Sequence, residues 1–305
     1  MDDVLIACRA VQFASAMLTF GGAAFRLYAV EGGDPEALAT FDAWLRGLLL
    51  VSALIAFLSG LTLVPIIGGT MAGSASAVFD WTTILAVLLQ TSFGRVWRWH
   101  LLAASLLVVI CAVRPVRPGY RVALAAFLLA SLGWVGHAMI GEDRIGIAYA
   151  VNQSVHLLAS GLWLGGLVLL AALVFQAMRS ASGPEFAVMR AALQQFSRMG
   201  YVAVALVALT GIVNTAMLVG SVHGLIGTPY GRLLLMKISL FLLLVGLAAI
   251  NRFVLVPRIA RERKPMTGTT ALIWTIGIEQ ILGLAIIAVV SILGTWPPAM
   301  HIHTH

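Results

Sequence analysis

Eight runs of mostly apolar residues, each about as long as a bilayer's hydrocarbon core is thick, set the tightest limit on what this chain can fold into. A helix rises 1.5 Å per residue, so about 20 apolar residues cross roughly 30 Å of hydrocarbon. The runs lie at 4–30, 41–64, 96–113, 120–140, 149–178, 197–220, 230–253 and 270–293. Of the 305 residues, 61% are hydrophobic and 10% charged, against about 25% charged in an ordinary soluble domain. A soluble core of this size has no place for so much apolar surface, whereas lipid lets helices expose Leu, Val, Ile and Ala all round. The expected fold class is all-α, a polytopic membrane helix bundle of about eight transmembrane helices in a single integral domain over 1–305.

Two further helices are expected outside the spans. The run at 79–91 is periodic but too short to cross, and it reads as a re-entrant or interfacial helix with Asp80 near its start. Ser182-Gly183-Pro184-Glu185 combines a Ser cap, a first-turn Pro and a Glu three residues on, and Phe186, Met189, Leu193 and Phe196 then recur at helical spacing. That pattern predicts a short amphipathic helix lying on the cytoplasmic lipid surface.

The formal charge of +7 sits in short loops between apolar runs, so it reports topology and implies no nucleic-acid partner. Arg114, Arg117 and Arg121 mark one basic turn, Arg179, Arg190 and Arg198 a second, and Arg252, Arg258, Arg261, Arg263 and Lys264 a third. Loops poor in Lys and Arg alternate with them. Basic loops face the cytoplasm, which places both termini outside. The start, Met1-Asp2-Asp3, is acidic where a signal peptide is basic, so the first run is read as a retained span. Cys8 and Cys111 fall at opposite membrane faces, which argues against a disulfide, and no C-x-x-C motif occurs.

On this topology every histidine falls on the outer side. His100 is a turn inside the third span, His137 a turn from the outer end of the fourth, and His156 about two turns into the fifth. His223 is in an outer loop, and His301, His303 and His305 alternate along the outer tail. The methionines scatter over both faces, so the gathering is particular to imidazole. Imidazole suits copper, zinc, iron and nickel, and side chains from facing helices at one depth build metal sites in membrane bundles. His137 and His156 flank a short loop and are the main candidate ligands; His100 and the tail histidines are further candidates, with interhelical hydrogen bonding the competing reading for His100 and His223. Asn152, His156 and Ser160 share one helical stripe. Lys237 and Glu279 are candidate partners in an ion path or a structural ion pair. Asn214 and Asn251 suit interhelical hydrogen bonds, Gly161, Gly165 and Gly166 suit close helix packing, and Arg9 with Gln12 stands near the outer end of the first span.

These residues also carry a resemblance. The run NQSVHLLASGLWLGGL at 152–167 resembles the histidine and tryptophan-glycine signature of the copper resistance protein D (CopD) family. QTSFGRVWR at 90–98, FSRMGYVAVALVALTGIVN at 196–214, TPYGRLLLMKISL at 228–240 and EQILGLAIIAVVSILGTWPP at 279–298 extend it over about 79–298. The resemblance implies copper handling at the bacterial inner (cytoplasmic) membrane, metal entering from the periplasmic side, and a periplasmic CopC-like copper-binding partner. It falls on His156 and, less directly, on His137. The expectation is therefore a copper transporter and not an enzyme. No phosphate-binding G-x-x-x-x-G-K motif is present, so an ion would cross by facilitated or secondary transport. The alternative is a redox protein with haem b held between His137 and His156, with room supplied by Gly133, Gly136 and Gly161.

Overall fold

The computed structural model describes residues 2–30, 35–113, 116–135, 144–180, 184–261 and 266–298. Eleven α-helices follow in chain order among them: α1 Asp2–Tyr28, α2 Pro35–Met71, α3 Trp81–Gln90, α4 Ser92–Ala112, α5 Pro118–Ser131, α6 Arg144–Ser180, α7 Pro184–Val219, α8 Val222–Gly227, α9 Pro229–Ile250, α10 Val256–Arg261 and α11 Met266–Leu293. No strand occurs among the described residues. Seven of the helices are long and apolar enough to cross a membrane. The expected fourth span begins as α5, which has 14 residues and continues into a 3-10 turn at Leu132–Trp134. Its far end, with His137, lies outside the described residues.

Successive long helices run antiparallel, as their contacts show. Along α1 and α2 the pairs Gln12–Ser59, Thr19–Ser52 and Arg26–Asp42 step in opposite directions. On α6 and α7, Asn152 meets Asn214, His156 meets Thr210 and Gly166 meets Phe196. On α9 and α11, Asn251 meets Glu279 while Tyr230 and Leu234 share a cluster with Val289 and Leu293. The starts of α1, α4, α6 and α9 therefore share one end of the bundle with the finishes of α2, α5, α7 and α11.

Local chemistry sets the boundaries. Gly73 and Gly220 adopt φ of 64° and 69°, the left-handed conformation that ends a helix cheaply only with glycine, and they stop α2 and α7 at that same end. Asp80 caps α3 by accepting from the Thr82 and Thr83 backbone N–H groups, so the short helix begins where the sequence placed it. Pro257 lacks an N–H and crowds the carbonyl four residues earlier; just ahead of it the chain widens into a π-helical turn over Asn251–Leu255. Pro65 lies inside α2 without ending it, as membrane helices tolerate.

One expectation is corrected. The amphipathic segment after Pro184 is not a separate surface helix but the first third of α7, continuous with the sixth span. Met189, Ala192, Leu193 and Phe196 are buried in the main core, and Phe196 packs on Phe25 with ring centroids 6.2 Å apart. Its apolar stripe is matched by the α1 and α6 surface, so packing against protein replaces contact with lipid headgroups. The crossing of α1 and α6 is tight because Gly21 and Gly165 face each other: a Cβ built on either would lie 2.3 Å from a carbonyl oxygen of the opposite helix.

Candidate functional site

Two polar networks occupy the end of the bundle where α2 and α7 finish. The first surrounds His100, which is fully buried on α4. Its Nε2 lies 2.8 Å from Gln12 Nε2 and its Nδ1 2.7 Å from Ser131 Oγ, while Ser59 donates to Gln12 Oε1. Trp97 stacks on the imidazole at 4.3 Å with an interplanar angle of 12°, and its indole N–H donates to the Gly60 carbonyl oxygen. Both ring nitrogens are engaged, so His100 joins α1, α4 and α5 by hydrogen bonds and has no lone pair directed at a cavity. Gln12, read from sequence only as a residue near an entrance, is its main partner.

The second network surrounds His156 on α6. Its Nδ1 lies 2.8 Å from the Thr210 hydroxyl on α7. One turn away, Asn152 Nδ2 donates to Asn214 Oδ1 at 2.9 Å and to the Thr210 carbonyl oxygen at 3.0 Å, and Asn214 Nδ2 donates to Gln153 Oε1. Asn152 and His156 on one helix, and Thr210 and Asn214 on its antiparallel neighbour, are each four residues apart, so two polar rungs meet across the interface. Thr210 was missed from sequence although this matching spacing pointed to it. Ser160 donates back to the His156 carbonyl oxygen one turn on.

The His156 side chain lines a cavity of about 640 Å³ between α6, α7, α9 and α11. Ser160, Thr215 and Lys237 contribute polar groups to that cavity, and its walls are otherwise largely apolar. Gly211 stands beside the imidazole; a Cβ there would meet His156 Cε1 at 3.7 Å. Fixing Nδ1 to a hydroxyl sets the ring's orientation and leaves Nε2 as the atom presented to a ligand. The two networks are joined through α5: Ser131 holds His100, and its neighbour Ala130 accepts from Ser154, two residues before His156.

Lys237 and Glu279 do not form the ion pair considered from sequence. Glu279 is 1% exposed and accepts from Asn251 Nδ2 at 3.0 Å, near the other end of the bundle. With Asn251 and Tyr201 it lines a second cavity of about 370 Å³, and Trp163 is a wall of both cavities. Lys237 on α9 precedes Asn251, the first residue of the π-helical turn, by more than three turns, a rise of about 21 Å, which separates it from Glu279. His223 is exposed on α8. His137, His301, His303 and His305 lie outside the described residues, and among the described residues no three His, Cys, Asp or Glu converge as a metal cage. The room expected for haem is not at Gly133 or Gly161, which abut Ser154 and Leu129 respectively; Gly136 lies outside the described residues. Cys8 and Cys111 are both free.

Comparison with known proteins places this architecture. The chain is 30% identical to a copper resistance protein D of Pseudomonas syringae pv. tomato over 98% of each chain. It belongs to the copper resistance protein D family. Two family profiles agree, the copper resistance protein D-like N-terminal domain over residues 1–147 and copper resistance protein D over 190–293. The inner membrane protein YebZ of Escherichia coli is 29% identical over 96% of this chain and 98% of its own. The copper transport protein CutJ of Bacillus subtilis is 27% identical over 91% of this chain but only 51% of its own length. No solved structure matches the chain. The family, the seven apolar helices and the YebZ likeness make this a multi-pass protein of the bacterial inner membrane that handles copper.

Proposed function

We propose that the protein takes up copper ions at the bundle end that carries His156, on the periplasmic side, and passes them into or across the membrane. The observation that carries this reading is the His156 imidazole, held at Nδ1 by Thr210 and lining the 640 Å³ cavity. An imidazole nitrogen of this kind is a good ligand for copper of either oxidation state. One imidazole does not hold an ion alone, and His137, seven residues before the start of α6 in sequence, is the proposed second ligand. His301, His303 and His305 act as a collecting arm, and a CopC-like periplasmic protein is the proposed donor. His100 keeps the neighbouring helices in register. Asn152, Ser160 and Asn214 support the capture site, while Lys237 and Glu279 mark successive levels of the path. The protein acts as a carrier and performs no catalysis.

The test is copper uptake by proteoliposomes with the histidine end outward. His156→Ala is expected to abolish uptake and His100→Gln to leave most of it. Uptake unaffected by His156→Ala would overturn the reading. A visible haem band that disappears in the same variant would favour haem b between His137 and His156 instead.

A further inference from the structure

At the opposite end of the bundle from His156, three arginines from three helices turn into one cavity of about 360 Å³. They are Arg26 on α1, Arg46 on α2 and Arg121 on α5, and the one carboxylate lining the cavity with them is Asp42. Asp42 is already spent: it takes Arg26 in a two-point contact at 2.7 and 3.2 Å, while a third Arg26 nitrogen donates to the Val30 carbonyl oxygen. Arg46 has no ion-pair partner among the described residues, and its buried Nε has no hydrogen-bond partner. Arg121 uses one donor in a 3.3 Å bond to the Ile110 carbonyl oxygen. Three cations facing one carboxylate leave two charges uncompensated where the surrounding wall, including Leu27 and Leu49, is apolar.

Uncompensated guanidinium groups between membrane helices are costly unless an anion joins them. The first turn of α5 reaches the same cavity at Pro118 and adds the partial positive charge of a helix N-terminus. Depth identifies the class of anion. Trp44 on α2 and Tyr120 on α5, next to these arginines in sequence, are exposed, and exposed Trp and Tyr mark the headgroup level of a bilayer. Guanidinium groups match phosphate oxygens in two-point contacts.

We propose that this cavity binds a phosphate group, supplied by the headgroup of an anionic phospholipid. Arg46 and Arg121 hold the phosphate oxygens, Arg26 with Asp42 fixes the wall, and the acyl chains lie along the apolar sides of α1, α2 and α5. Basic pockets of this type between membrane helices serve as anionic-lipid sites. The site is independent of copper.

Native mass spectrometry of the full-length protein in detergent, titrated separately with phosphatidylglycerol, phosphatidylcholine and inorganic phosphate, tests it. Phosphatidylglycerol is expected to bind more tightly than phosphatidylcholine. The R46Q/R121Q variant is expected to lose that preference with affinity about tenfold or more lower, since two charge-assisted contacts go. R46K/R121K keeps the charges and is expected to fall between the two, and R98Q, on another face, is expected to behave as wild type. Circular dichroism of each variant shows whether the helices persist; should the Gln pair not fold, the Lys pair carries the comparison. Equal retention of the two lipids by the wild type, or unchanged phosphatidylglycerol binding in both paired variants, would overturn the site. Retention of inorganic phosphate without phosphatidylglycerol would keep the anion pocket and overturn its lipid source.

Discussion

Replacing Gly165 with alanine tests whether the α1–α6 crossing holds the helix that carries His156. A Cβ at Gly165 would stand 2.3 Å from the Met17 carbonyl oxygen and 3.0 Å from Gly21 Cα. Non-bonded carbon atoms rest about 3.5–4.0 Å apart, so the helices must separate by roughly 1 Å at their closest point. The obstructing atoms are backbone, and no change of rotamer relieves them. Overpacking of this kind costs about 1–3 kcal/mol, and the looser fit that separation forces around Met17 and Phe20 pushes Gly165→Ala towards the upper end. Gly246 on α9 has nothing within 4 Å of its added Cβ, so Gly246→Ala is the control. It is expected to be neutral or to stabilise by up to about 1 kcal/mol through helix propensity. Reversible unfolding in mixed detergent micelles, followed by circular dichroism, gives both values. A Gly165→Ala protein as stable as the wild type would refute the packing described for α1 and α6.

Gln12→Leu leaves the buried His100 Nε2 without its partner, while the Ser59 hydroxyl keeps the Ile55 carbonyl oxygen at 2.7 Å, and is expected to cost about 1–3 kcal/mol in the same unfolding assay, with copper content unchanged. Lys237→Met removes a cation from the cavity that His156 lines; relief of about 1.4 kcal/mol of like-charge repulsion corresponds to about a factor of ten in affinity. Copper affinity, read by competition with a chromophoric chelator, is expected to rise about tenfold, and no rise would separate Lys237 from the capture site. Hydrogen bonds from Thr83 and Thr82 hold the Asp80 carboxyl at about 2, down from its ordinary 3.8. A carboxyl held low in the fold adds stability that is complete above about 3.8 and is lost as pH falls through about 2. Hydrogen exchange is therefore expected to show α3 amides protected at pH 4 and released near pH 2, with no such step in Asp80→Ala.

Much of the bundle was legible because hydrocarbon imposes a length on every span. The short helix after Asp80 was visible for the same reason, being too brief to cross. The start of α7 was misplaced because an apolar stripe looks the same whether it faces lipid or another helix; only the partner surface, here Phe25 and Gly166, decides. The tight role of Gly161 and Gly165 could be read directly, since small residues have few other uses in a membrane helix. At the site, the stripe of Asn152, His156 and Ser160 was visible from its spacing of four, and Asn214 was recognised as an interhelical hydrogen bonder. What spacing within one helix does not give is the register between helices. That register makes Thr210 the partner of His156, gives Gln12 to His100, and puts Glu279 beside Asn251 and away from Lys237.

The most direct test of the copper reading is the metal content of the purified protein, with copper and iron determined together in the wild type, in His156→Ala and in the variant with both His137 and His156 changed to Ala. The account expects copper in the wild type, most of it lost in His156→Ala and all of it lost from this site in the double variant, with no iron in any sample. Copper retained undiminished in both variants, or iron lost in place of copper, would contradict it.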